Sequence, residues 1–162
     1  MFKQYYESPV GRLVMGSDGV ALTDLCFVSS SHAEKVGMYE ESPLPVFDQT
    51  KKWLDIYFSG KAPEFTPPIK LQDLSPFRKQ VVNIISRIPY GKTMTYGEIA
   101  QKVASEREII KMSAQAVGSG AKNNPICLII PCHRVVGSNN KLVGYNGGLD
   151  KKIALLKLEK II

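Results

Sequence analysis

Cys132 and His133 stand side by side after five apolar residues and a proline, in the segment Ile126-Cys127-Leu128-Ile129-Ile130-Pro131-Cys132-His133-Arg134-Val135-Val136. A thiol attacks carbon or sulfur as its thiolate, and an ordinary cysteine is mostly protonated at neutral pH. A nucleophilic cysteine therefore needs a base or a positive field close by. His133, Arg134 or a nearby helix N-terminus could supply either. The apolar run reads as a short buried strand or extended segment, which would mount Cys132 rigidly at the edge of a core. Neighbouring side chains of an extended chain point apart, so adjacency does not bring the imidazole to the sulfur. On these residues alone, a cysteine beside an apolar run also fits plain core packing.

The elements that must position this segment can be read upstream. Runs at 2–7, 12–17 and 20–28 are β-prone and separated by Pro9-Val10-Gly11 and Asp18-Gly19, which predicts a three-stranded antiparallel meander. Phe47, Trp53, Leu54, Tyr57 and Phe58 recur at roughly helical intervals over 47–59, predicting one helix packed on that sheet. Pro63, Pro67 and Pro68 then mark a linker, so the chain divides into an N-terminal domain, 1–72, and a second domain, 73–162. In the second, Ser75-Pro76 is a helix start, and Phe77, Val81, Ile84, Ile85 and Ile88 trace one face up to Pro89. Thr95-x-x-Glu98 forms a capping box for a helix burying Ile99, Ala100 and Val103. A third helical stretch ends in the small residues 113–121. Two short helices in succession, the second made of small residues, suit a helix-turn-helix, although small residues equally suit tight helix packing.

The chain of 162 residues is 44% hydrophobic and carries a net charge of +6. That charge is uneven: residues 1–72 hold seven Lys/Arg against nine Asp/Glu, residues 73–162 fourteen against six. A basic second half points to a polyanion, since cations facing phosphates release counterions, while scattered lysines also serve solubility. No apolar run approaches the ~18 residues of a membrane span and the N-terminus lacks a signal peptide's apolar stretch, so a cytoplasmic protein with no membrane association is expected. Three cysteines without Cys-x-x-Cys spacing argue against a disulfide framework. Cys26 and His32 have no second pair of ligands, so neither metal nor cofactor is expected.

Pro131-Cys132-His133-Arg134-Val135 resembles the active-site signature of the O6-alkylguanine-DNA alkyltransferases. Asn124-Pro125, Gly144-Tyr145-Asn146-Gly147-Gly148 and Leu155-Leu156-Lys157-Leu158-Glu159 follow the same order, as do Phe77 to Val81, Pro89-Tyr90-Gly91, Thr95 to Ala100 and Ala116-Val117-Gly118. The resemblance is dense from Ser75 to Glu159 and only outlined before it. It implies a two-domain α+β fold: a ribonuclease H-like sheet with a helix, then a mainly helical, winged-helix-like DNA-binding domain.

It further implies direct, irreversible, single-turnover transfer of an alkyl group from O6-alkylguanine, or from O4-alkylthymine, to Cys132. Glu159 would orient His133, a water would link His133 to Cys132, and Tyr96 would hydrogen-bond guanine N3. Val135 and Asn146 would read the guanine edge, Tyr145 would wall the pocket, and Asn124 would tie the cysteine segment to the DNA-binding helix. Ser113, Ala114, Gln115, Ala116, Gly118 and Arg134 would meet the minor groove of double-stranded DNA, with the target nucleotide flipped out and the protein a monomer without an obligate protein partner. Three departures stand out. Gln115 takes the place of the family's intercalating arginine, Asn146 takes that of a small residue, and the segment from Lys102 to Met112 is longer than the usual turn. Two other classes fit parts of the pattern: a non-catalytic alkyl-lesion-binding protein, against which the presence of Cys132 speaks, and a Cys-His hydrolase, for which no oxyanion-hole motif is evident.

Overall fold

A computed structural model describes all 162 residues. It comprises two compact units, Met1–Gln72 with Pro125–Cys127, and Asp73–Asn124 with Leu128–Ile162.

In the first unit, β1 (Phe2–Ser8), β2 (Gly11–Ser17) and β3 (Leu22–Phe27) form the antiparallel meander. The sequence reading of three strands is extended by β4 (Glu40–Glu41), a two-residue strand parallel to β1 that completes the order β3-β2-β1-β4. Two residues carry no hydrophobic alternation, so this strand has no signature in the sequence. The short helix α1 (Ala33–Gly37) was likewise hidden in a polar stretch. Helix α2 (Pro45–Phe58) starts with proline in its first turn and buries Val46, Phe47, Thr50, Trp53, Leu54 and Tyr57. The strand expected over 126–130 does not form. Ile126 makes a single parallel bridge to Leu25, with Cys127 N donating to Leu25 O at 2.8 Å, and Leu128 then turns through a left-handed φ of 68°. A non-glycine residue in that region cannot continue a strand.

The second unit is built on α3 (Pro76–Ser86), α4 (Tyr96–Glu106), α5 (Ala114–Ala121) and α6 (Leu149–Leu158). Its starts are capped as the residues dictate. Ser75 accepts from Arg78 N, Thr95 from Glu98 N at 3.0 Å, and Ser113 from Gln115 N and Ala116 N. A minimal parallel ribbon pairs β5 (Met94–Thr95) with β6 (Val135–Val136), fixing the entry to α4 beside the residues that follow the Cys132 segment. Val81, Ile84, Ile85, Ile99, Val103 and Val117 are buried in its helical core.

The small residues of α5 divide between two faces. A Cβ on Gly120 would lie 3.4 Å from both Phe77 and Val81, so this side lies close against α3, whereas Ala114, Gln115 and Ser119 are exposed on the other. Because α3 supports this arrangement and its cap stands alone on an exposed turn, Ser75→Ala is expected to lower stability by about 1 kcal/mol. A urea unfolding midpoint unchanged from the parent would reject that role.

Candidate active site

Cys132, His133 and Arg134 form one turn of 3-10 helix, not the extended chain anticipated from the apolar run. Successive side chains in such a turn fan out by roughly 120°. Cys132 accordingly stays half-buried, while His133 and Arg134 turn inward and are buried.

The inward pair converges on Glu159, which caps the C-terminus of α6. Its Oε2 lies 2.6 Å from His133 Nε2, and its Oε1 accepts from Arg134 Nε at 2.8 Å and from Gly91 N at 3.0 Å. These donors hold the carboxyl far below its usual range, at about 2, against the opposing effect of burial. A charged Glu159 can only accept, so His133 Nε2 carries the proton and Nδ1 is left as the basic nitrogen. Burial pushes the imidazole pKa down more than Glu159 raises it, so the ring rests neutral, and the carboxylate orients the ring without charging it. Arg134 was expected at the DNA. It is instead spent inside, with its side chain 9% exposed, donating to Glu159 and through a terminal nitrogen to Ile88 O at 2.8 Å, because a buried carboxylate needs a cation.

Around the thiol, Asn124 does two jobs. Its backbone N–H donates to Ala121 O at the end of α5, and its Nδ2 donates to Ile130 O at 2.9 Å and to Cys132 Sγ at 3.1 Å. Burial raises the Cys132 pKa, while the Asn124 donor and the charge of Lys152 act to lower it, so the thiol rests protonated. Tyr96 opens α4, and burial followed by the charge of Cys132 raises its pKa, so it keeps its O–H as a donor.

Lys152 was not singled out by the sequence reading. It is fully buried, and Nζ donates to the carbonyls of Val135 at 2.6 Å, Val143 at 2.8 Å and Gly144 at 3.4 Å. Desolvation brings its pKa down to about 8, with the Cys132 charge opposing. The three carbonyls tie the start of β6 to the loop that carries Tyr145 and Asn146. A signal was present: Lys152, Leu155, Leu156 and Glu159 share one stripe of α6 at helical spacing, and a lysine within such a stripe must find partners. Tyr145 is half-buried and Asn146 exposed, in a turn closed by Gly148 N donating to Tyr145 O at 2.9 Å. Ser113, Ala114 and Gln115 are exposed at the start of α5, and Ala116 and Gly118 are half-buried; a Cβ on Gly118 would lie 3.9 Å from the Tyr96 ring. The structure thus gathers Cys132, His133, Glu159, Asn124, Tyr96 and Val135 in one unit, while Arg134 leaves the surface set.

A rigidly held, half-buried thiol, followed in the same turn by a neutral imidazole on a compensated carboxylate, in a helix-turn-helix-like unit, fits a thiol-based group-transfer protein. Residues 76–161 match the family described as 6-O-methylguanine DNA methyltransferase, DNA binding domain, and residues 1–71 the ribonuclease-like domain of the same family. The chain is 36% identical over 162 residues to a methylated-DNA–protein-cysteine methyltransferase of Haemophilus influenzae, covering 99% of this chain and 87% of that one. It is 36% identical to the protein of that name from Methanosarcina acetivorans, covering 98% of each. Among solved structures it is similar to Mycobacterium tuberculosis OGT in complex with DNA, with a TM-score of 0.86, 35% identity and coverage of 99% of this chain and 93% of that one. The chain belongs to the 6-O-methylguanine DNA methyltransferase family.

Two predictions follow from the buried charges. Glu159 has a folded pKa of about 2, below its ordinary 4.5, so its contribution is complete above about pH 4.5 and is lost as pH falls towards 2. Glu159→Gln should flatten stability across that window and cost about 3–5 kcal/mol at neutral pH by stranding Arg134. Chemical unfolding between pH 2 and 7 measures both effects, and a variant as stable as the parent would exclude the assignment. Lys152→Met should slow alkyl transfer about tenfold, equivalent to about 1.4 kcal/mol, and raise the apparent pKa of the Cys132 thiol. Thiol-alkylation rates against pH report that pKa directly, and an unshifted profile would reduce Lys152 to packing.

Proposed function

We propose that Cys132 is the acceptor through which this chain performs the direct alkyl-transfer repair of its family, taking the alkyl group from O6-alkylguanine in DNA in a single irreversible step. The observation that carries this reading is the geometry of the site: Asn124 Nδ2 donates to Cys132 Sγ at 3.1 Å, and the next residue is an imidazole whose Nε2 is held 2.6 Å from Glu159 Oε2, which leaves Nδ1 as its basic nitrogen. The thiol proton passes through a water to His133 Nδ1, leaving a thiolate that Asn124 and Lys152 favour. Sulfur attacks the alkyl carbon, the S–C bond forms as the C–O6 bond breaks, and the bonding pair stays on guanine. Tyr96 donates its hydrogen bond to N3 and supports the departing base. No step regenerates the thiol, because the thioether has no leaving group activated by these residues.

Residues 73–162 act as the alkyltransferase and DNA-binding domain, and residues 1–72 as the N-terminal domain. The protein works as a monomer in the reducing cytoplasm, with α5 facing the minor groove, where its small residues permit close approach. Val135, Tyr145 and Asn146 line the pocket that receives the flipped guanine, whose walls Lys152 holds through the Val135 and Gly144 carbonyls. Ser113, Ala114, Gln115, Ala116 and Gly118 form the DNA-facing start of α5, with Gln115 filling the gap left by the extruded nucleotide. Glutamine does so without a guanidinium charge, which makes extrusion less favourable than with arginine.

Incubation with duplex DNA containing O6-methylguanine should add one methyl group per molecule at Cys132, seen by intact mass and peptide mapping, and Cys132→Ala should add none. Methylation of that variant would move the nucleophile elsewhere. Gln115→Ala should lower the rate on duplex while sparing reaction with free O6-benzylguanine, and equal losses on both substrates would place Gln115 in the fold or pocket.

A further inference from the structure

The connection from α4 to α5 is built, and what it presents is apolar. Arg107 N donates to Val103 O, Glu108 N to Ser105 O and Ile109 N to Ala104 O at 2.9 Å, while Glu108 takes a left-handed φ of 54°. This closes the C-terminus of α4 and reverses the chain in a Schellman-like turn. The base is clamped onto α3: Arg107 Nε donates to Gln80 Oε1 at 2.6 Å, Gln80 Nε2 to Glu106 Oε2 at 2.8 Å, and the Arg107 guanidinium lies 5.2 Å from the centre of the Phe77 ring. On the far side Ser113 caps α5 through Gln115 N and Ala116 N. Only Ile110, Lys111 and Met112 lie between the two anchors. Ile110 is wholly exposed, at 104%, and Ile109 beside it is 44% exposed.

A single apolar side chain at a surface is ordinary. Here it sits on a short tether that leads directly into the proposed DNA-facing end of α5. The charges around it select the partner. Glu106 is taken up by Gln80 and by Arg87 at 3.4 Å, and the exposed Glu108 lies in the turn before Ile109, so Lys111 is the charge directly next to Ile110 on the side that leads into α5. An isoleucine flanked by a lysine suits the minor groove, with its apolar sugar walls and bordering phosphates, and isoleucine is among the side chains used as wedges there.

We infer that the 109–111 segment is a second DNA contact of this chain, in which Ile110 packs into the minor groove beside α5 and Lys111 meets the adjacent phosphate. The inference rests on the reading of α5 as the DNA-facing helix. It also gives the connection a purpose, although residues 102–106 of the segment read as long belong to α4: an apolar contact offsets part of what the neutral Gln115 forgoes.

The test uses the full chain and a duplex carrying O6-methylguanine, with affinity and single-turnover rate measured over a range of salt. Ile110→Ser should weaken duplex binding about fivefold with an unchanged salt slope, since an apolar contact releases no counterion. Ile110→Leu should restore most of the loss. Lys111→Gln should instead reduce the salt slope by about one. Reaction of all three variants with free O6-benzylguanine should match the parent, which shows that fold and pocket are intact. Unaltered duplex binding by Ile110→Ser overturns the inference while methylation of Cys132 by duplex still supports the underlying reading. Failure of the parent chain itself to be methylated by duplex overturns that reading. If the parent self-associates in sedimentation and Ile110→Ser abolishes this without touching DNA affinity, the tip binds a second copy and the DNA contact is wrong.

Discussion

The buried carboxylate of Glu159 is the interaction on which the second unit depends. It accepts from the backbone ahead of β5, from the imidazole and from the guanidinium of the 3-10 turn, while standing at the end of α6. Three separate segments are thereby referred to one pair of oxygen atoms. A charge in that position is tolerable only when every lone pair is used and a cation lies alongside, and Arg134 supplies the cation. The same contacts that make Glu159 structurally indispensable fix the His133 tautomer, so stability and chemistry cannot be separated at this residue.

The site holds its thiol in reserve. Burial keeps Cys132 protonated and His133 neutral, the uncharged pair from which a proton can be passed when a substrate arrives. Asn124 and Lys152 are placed to favour a thiolate from fixed positions, one by a donor at 3.1 Å from the sulfur and one by charge. Lys152 is itself held by three carbonyls, so the positive field near the sulfur and the walls of the proposed pocket share one anchor. A thiol guarded in this way resists adventitious oxidation, since reactivity follows thiolate character.

Helix α5 shows how one short element can face two ways. Gly120 allows close approach to α3, and the exposed residues at the other side carry no large side chains apart from Gln115. The packing explanation of its small residues therefore holds for the face against α3, and the outer face is the one left exposed. The preceding connection, fixed at both ends, determines where that outer face begins.

Much of this was legible in the chain itself. The caps at Ser75 and Thr95, the helical faces of α2, α3 and α4, and the β1-β2-β3 meander depend on local hydrogen-bonding options and hydrophobic period, which the sequence states outright, whereas Ser113, read as part of a helical stretch, is the cap of α5. The Cys132-His133 pair and its family resemblance likewise needed no coordinates. Tertiary structure alone decided the rest. The apolar run 126–130 became a bridge and a left-handed turn because Leu128 had to redirect the chain, and Arg134, a surface cation by type, was drawn inward by a carboxylate twenty-five residues away. Lys152 became the keystone of three carbonyls for the same reason: the partner of a buried charge is set by which segments meet in space, and that is not written in the order of the residues.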